Sequence, residues 1–119
     1  MINLDFSGVE ERKPLEEGIY VLTIEDAEEK PAKSSGNPMI SVKFGVEGHD
    51  QNKLFDNFVL TQKALWKLKE VLNALGYETD AIVDLDITEL VGQQVQAKVV
   101  QEEYDGRMTN RIKSYYPYQ

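Results

Sequence analysis

The chain has 119 residues, no cysteine and a formal net charge of −8. That length suits one domain with its own apolar core, and the missing cysteines exclude disulfides, thiolate metal sites and a thiol nucleophile. The charge excludes a uniformly basic nucleic-acid binder, but it is unevenly spread. Residues 1–30 hold nine acids against three bases, residues 31–70 hold four against six, and residues 71–119 hold eight against four. The middle of the chain is therefore least hostile to a polyanion, although the same numbers also describe a solvated acidic surface with ordinary lysines.

Residues 1–17 read as an acidic, loosely ordered lead-in to a domain over 18–119. Pro14 stops any helix begun at Val9–Lys13. The alternation of Ile2, Leu4 and Phe6 leaves room for a short edge strand. The N-terminus lacks the basic start and apolar block of a signal peptide, and no apolar run reaches the length of a membrane span. With the absent cysteines, this fits a reducing cytoplasm.

The first strand is expected over Gly18–Glu25, with Tyr20, Leu22 and Ile24 on one face and Ile19, Val21 and Thr23 on the other. Asp26–Pro38 is rich in turn formers and reads as a long inter-strand loop carrying Lys30 and Lys33. Met39–Glu47 alternates cleanly, which places Ile40, Val42, Phe44 and Val46 inward and Met39, Ser41, Lys43 and Gly45 outward. Gly48–Asn52 reads as a tight polar turn. The dense run Leu54, Phe55, Phe58, Val59 and Leu60 makes a third strand.

A helix over 62–75 follows, with Thr61 as its expected N-cap and a one-sided stripe of Leu65, Leu68, Val71, Leu72 and Leu75. Gly76 supplies its left-handed stop. After an acidic stretch, a helical turn is expected near Asp86–Leu90, then a strand over Gln93–Gln101 with Val95, Ala97 and Val99 inward. Asp105-Gly106 favours a hairpin turn into a last strand over Arg107–Tyr115. Five strands with one helix between the third and fourth is the order of an OB-fold barrel, in which the helix plugs an open end. A five-stranded open sheet with a packed helix competes, and periodicity does not separate the two.

Catalysis finds little support. His49 is the only histidine and sits in a turn, so no histidine pair exists for a metal. Glu28-Glu29 and Glu102-Glu103 read as solvated loop charge rather than an acid–base pair. Asp84 and Asp86 lack the glycine and distal glutamate of an EF-hand loop, and Ser34–Asn37 lacks the lysine and following helix of a phosphate cradle. A non-enzymatic protein without cofactor or metal is the expectation.

Binding has better credentials. Single-stranded nucleic acid is held by cations that follow phosphates and aromatic faces that stack bases. Lys33, Lys43, Lys53, Arg107, Arg111 and Lys113 are the candidate phosphate contacts, and Phe55, Tyr104 and Tyr115 the candidate stacking platforms. Against this, Phe44, Phe55 and Phe58 have an equal claim to the core, Tyr20 and Trp66 read as structural, and Tyr115, Tyr116 and Tyr118 would also serve to pin the C-terminus. The expected surface joins the outward sides of the second and third strands to the Asp26–Pro38 loop and the Glu102–Asn110 hairpin.

The ordered set Glu17-Gly18-x-Tyr20, Lys53-Leu54-Phe55-Asp56-Asn57, Ala64-Leu65-Trp66-Lys67-Leu68, Leu90-Val91-Gly92, Glu103-Tyr104-Asp105-Gly106-Arg107 and Asn110-Arg111-Ile112 resembles a family of small bacteriophage proteins. These were long catalogued as a domain of unknown function and are regarded as OB-fold single-stranded-DNA-binding proteins. The resemblance covers roughly residues 16–117. It implies an OB-fold, sequence-independent binding of single-stranded DNA in phage replication or recombination, and a host-cytoplasmic location. Partners among phage or host replication and recombination proteins follow from the same resemblance. Single-stranded-DNA-binding proteins often end in an acidic tail, whereas this chain ends SYYPYQ and concentrates its acids in residues 1–30. The competing expectation is an acidic protein-interaction module that docks a replication, recombination or host-defence protein. Edge strands of small barrels also pair, which leaves a homo-oligomer open.

Overall fold

The computed structural model describes residues 1–4, 13–33, 35–80 and 84–118. Five strands, β1 (Gly18–Pro31), β2 (Pro38–Val46), β3 (His49–Val59), β4 (Gln94–Tyr104) and β5 (Arg107–Pro117), form one antiparallel sheet in the order β3-β2-β1-β4-β5. One helix, α1 (Leu65–Ala74), lies between β3 and β4 in the chain, and a 3-10 turn at Ile87–Leu90 leads into β4. The mainly β class, the five strands and the helix after the third strand are therefore as expected. The sheet is not closed: β3 and β5 are its two edges, and no ladder joins them. No helix among the described residues is long and apolar enough to cross a membrane.

The core follows from period-two alternation on one face, interrupted by the register shift between Ile112 and Tyr115 of β5. Leu22 and Ile24 of β1, Ile40, Val42, Phe44 and Val46 of β2, Leu54 and Phe58 of β3, Val95, Ala97 and Val99 of β4, and Ile112 and Tyr115 of β5 are all buried against Leu68, Val71 and Leu72 of α1. Each large apolar side chain taken fully out of water there contributes about 1.5–3 kcal/mol. The glycines expected to punctuate the chain do so. Gly76 has φ +94° at the end of α1, and Asp105 and Gly106, at φ 53° and 77°, make the two-residue β4–β5 turn.

Four local expectations are corrected. The Asp26–Pro38 loop is mostly strand, because β1 continues to Pro31 paired with Pro38–Lys43 of β2. A bulge between Ile24 and Asp26 hides this continuation by breaking the alternation. The polar turn before β3 shrinks to Glu47-Gly48, with His49 already opposite Val46 and the irregularity taken up between His49 and Lys53. Met39, expected outward, is buried. Thr61 is not the N-cap: its carbonyl accepts from the N–H groups of Ala64 and Leu65, both at 2.9 Å, so a turn precedes the helix. The helix starts at Leu65 with Ala64 in the cap position and no side-chain cap.

The core begins at Leu15. Its N–H donates to Asn110 Oδ1 at 2.8 Å and its carbonyl accepts from Asn110 Nδ2 at 2.9 Å, so one side-chain amide pairs with both backbone groups as a neighbouring strand would. Gln101 Nε2 donates to the same carbonyl at 2.9 Å. Upstream, Ile2 and Leu4 are exposed and outside any strand, and Phe6 lies outside the described residues.

The two sheet edges approach each other beneath α1, and side chains rather than a ladder connect them. The Tyr115 hydroxyl on β5 donates to Asp56 Oδ2 on β3 at 2.5 Å. Lys67 of α1 forms an ion pair with Asp56 and donates to the Asn57 carbonyl at 3.1 Å, and Glu70 Oε1 accepts the Tyr115 N–H at 2.9 Å. A carbonyl of one edge and an N–H of the other are thus satisfied by the helix, as buried or half-buried backbone groups require.

Candidate nucleic-acid interface

The face of the sheet away from the core carries the residues of interest on β2 and β3. Register fixes which they are. Phe58, Asp56 and Leu54 pair with Ile40, Val42 and Phe44 and share their inward direction, so Asn57, Phe55 and Lys53 point outward opposite Ser41, Lys43 and Gly45. Lys43 and Phe55 are direct cross-strand partners. Phe55 is 66% exposed, whereas Phe44 and Phe58 are fully buried. Of the three phenylalanines with an equal claim to the core, two are core and one is surface.

The lysines on this wall are not bare. Lys53 Nζ lies 2.7 Å from Glu25 Oε2, and Lys43 Nζ lies 4.0 Å from Glu25 Oε1. Glu25 is the unpaired residue of the β1 bulge, and the bulge sets both Glu25 and Asp26 on the outer side, Asp26 opposite Lys43. Thr23, Glu25, Gly45, Glu47, Asp50, Lys53 and Gln94 border a shallow depression there of about 280 Å³. Alternation from Ile24 already directs Glu25 outward; what it does not show is Asp26 on the same side, which the bulge adds.

The remaining candidates occupy the two hairpins. Lys33 is exposed in the connection between β1 and β2. Tyr104, 72% exposed, faces Arg107 across the β4–β5 turn. Arg111 Nε donates to Glu102 Oε2 at 2.8 Å, so it is already paired. Lys113 is exposed and, with Lys98, Glu17, Gly18, Ile19 and Val100, lines a depression of about 390 Å³ over the β1–β4–β5 part of the wall. Lys98, Ile19 and Tyr116 were not among the expected contacts. The alternation of Gln94, Gln96 and Lys98 against Val95, Ala97 and Val99 would have found the lysine. The two hairpins leave the sheet past opposite ends of the β1–β4 ladder, which spans only Gly18–Thr23.

Tyr115 is a correction. It is 6% exposed, with its ring centroid 6.0 Å from that of Phe44 and 6.3 Å from that of Phe58, and its hydroxyl is spent on Asp56. No face is left for a base. Burial pushes its phenol far above the ordinary tyrosine range, and the neighbouring charges of Asp56 and Glu70 and the bond to Asp56 push it the same way. Inward alternation from Ile112 does not foretell this, because a bulge between Lys98 and Val99 shifts the β5 register by one. Tyr20 is half-buried, its hydroxyl donating to the Glu16 carbonyl at 2.6 Å, and exposed His49 meets its ring edge-on at 5.5 Å. Trp66 is exposed on α1.

A family match covers residues 2–119, which is nearly the whole chain. The protein belongs to the DUF669 family. That family is described as "Protein of unknown function (DUF669)". Among curated proteins, none matches the chain. This DUF669 member brings together, on one wall, the outward cations and the aromatic of β2 and β3. It retires Tyr115 to the core and leaves Tyr104 and Arg107 on a separate hairpin.

Proposed function

We propose that this protein binds single-stranded DNA without sequence preference and that its sheet is an OB-type barrel unzipped between β3 and β5. The observation that carries the reading is Phe55, a large aromatic held in the open directly opposite Lys43 and two residues from Lys53. An exposed phenylalanine on a sheet face gains nothing from water, while a base stacked on such a ring is worth roughly 1–3 kcal/mol. The flanking lysines, with Lys33, Arg107, Arg111 and Lys113 further out, would follow the phosphates. Coating of exposed strands during phage replication or recombination in a host cytoplasm is the setting that the sequence resemblance suggests, and no catalytic step is proposed.

Fluorescence anisotropy with labelled oligo(dT), oligo(rU) and a duplex at several salt concentrations tests the reading. Binding to single strands that weakens steeply with salt, as phosphate contacts demand, is expected, with little binding to duplex. The second reading, an acidic module for a protein partner, is favoured by the exposed carboxylates Glu28, Glu29, Glu102, Glu103 and Asp105 on the two hairpins. No oligonucleotide binding at micromolar protein and low salt would favour it.

A further inference from the structure

We propose that Glu25 is a built-in competitor for the DNA backbone, a carboxylate occupying the place between Lys43 and Lys53 that a phosphodiester takes when DNA binds. The proposal rests on the single-stranded-DNA reading of the same wall. Its own support is a glycine. Gly45 is the next-to-last residue of β2, beside the irregularity at Val46 and opposite both Thr23 and Lys53, where glycine leaves nothing to pack. Its backbone has no positive φ to explain it. A Cβ there would come within 2.1 Å of Glu25 Oε2 and 3.0 Å of its Cδ. The missing side chain is the space in which the Glu25 carboxylate lies flat across the sheet to reach Lys53 at 2.7 Å and Lys43 at 4.0 Å.

Three features therefore act together: an outward Glu25 that the bulge leaves without a cross-strand partner, a glycine that makes room for it, and two lysines that receive it. The assembly is half-exposed, so the ion pairs are held weakly enough to exchange. A phosphate arriving at the lysines displaces the carboxylate, which swings into solvent. Glu47 and Asp50 border the same depression and add to the local negative field. Binding is thereby biased towards a strand that engages several sites at once, because a lone phosphate gains too little to evict the carboxylate.

Two substitutions open the site by different routes. Glu25→Gln removes the charge. Gly45→Ala keeps the charge but fills the carboxylate's space, and it folds readily because the obstructed atoms are the free end of a flexible side chain. Glu28→Gln, on the same strand and also outward, makes no ion pair among the described residues and controls for net charge. Anisotropy with labelled oligo(dT) at low salt should show Glu25→Gln and Gly45→Ala binding about two- to fivefold tighter than wild type, the worth of an exposed ion pair. Glu28→Gln should stay close to wild type.

Equal tightening by Glu25→Gln and Glu28→Gln, or unchanged affinity in Gly45→Ala with a wild-type melting curve, would overturn the proposal while leaving DNA binding intact. Absence of binding in wild type and all three variants would overturn the DNA reading and this inference with it.

Discussion

The seam beneath α1 and the outer wall of β2 and β3 are built from the same kinds of side chain. Each has an aromatic ring, a carboxylate and lysine: Tyr115, Asp56 and Lys67 in the seam, Phe55, Glu25 and the pair Lys43 and Lys53 on the wall. In the seam no buried side-chain polar atom lacks a partner among the described residues, and the ring is packed between Phe44 and Phe58. On the wall the ring is open to solvent and the ion pairs are exposed. Residue type therefore does not separate a locked structural cluster from a surface able to exchange partners. Which side of the pleat a residue occupies, and what closes over it, does.

The contrast is most severely tested in the seam. Asp56→Ala leaves the Tyr115 hydroxyl without an acceptor and Lys67 without its counter-charge. Urea unfolding should show a loss of about 2–4 kcal/mol, and a loss under about 1 kcal/mol would mean that the seam does not hold the edges together. On the wall, Phe55→Ala should weaken oligo(dT) binding by about 1–3 kcal/mol with stability changed by no more than about 0.5 kcal/mol. The reverse result, lost stability with unchanged affinity, would make Phe55 a structural residue.

Tyr115→Phe removes one hydrogen bond and keeps the packing, so it should cost about 1–2 kcal/mol and leave oligonucleotide affinity unchanged. The same residue predicts a pH dependence. Its folded-state pKa is raised, so its contribution to stability is complete below the unfolded phenol value near pH ~10 and declines above it. Stability in wild type should fall above that pH more steeply than in Tyr115→Phe, as read from urea midpoints between about pH 9 and 11. The smallest effect is expected at the turn before β4. The Asp86 carboxylate accepts from the Thr88 N–H and hydroxyl, which holds its pKa below the ordinary range. What it adds is present above the usual carboxylate pKa and lost as pH falls through the lowered value, so Asp86→Asn should flatten the acid limb slightly.

Much of this architecture was legible because the signals are local. The alternation in Met39–Glu47 and Gln93–Gln101, the stripe from Leu65 to Leu75, and the Asp105-Gly106 turn each depend on a few neighbouring residues and their backbone preferences. Where sequence reading failed, the decisive partner lay far along the chain or a bulge broke the period. Asp26–Pro31 reads as a loop because Pro31, Gly36 and Pro38 and the polar turn formers around them outweigh a ladder supplied by β2. Tyr115 looked like a platform because its fate is settled by Asp56, fifty-nine positions earlier. The ion pairs of Glu25 are not legible in the sequence, because the glycine and the lysines that receive it lie on other strands. The candidate site was therefore legible as a cluster of outward cations with one aromatic, but not as a site already filled from within.

The way Glu70 and Lys67 occupy an N–H of β5 and a carbonyl of β3 bears on how copies of this protein coexist at high concentration. Bare margins of an unclosed sheet invite the next molecule to dock strand to strand and extend without limit. Here one short helix reaches both margins and withholds those bonds from neighbours. Trimming either side chain would return the Asn57 carbonyl or the Tyr115 N–H to an open edge.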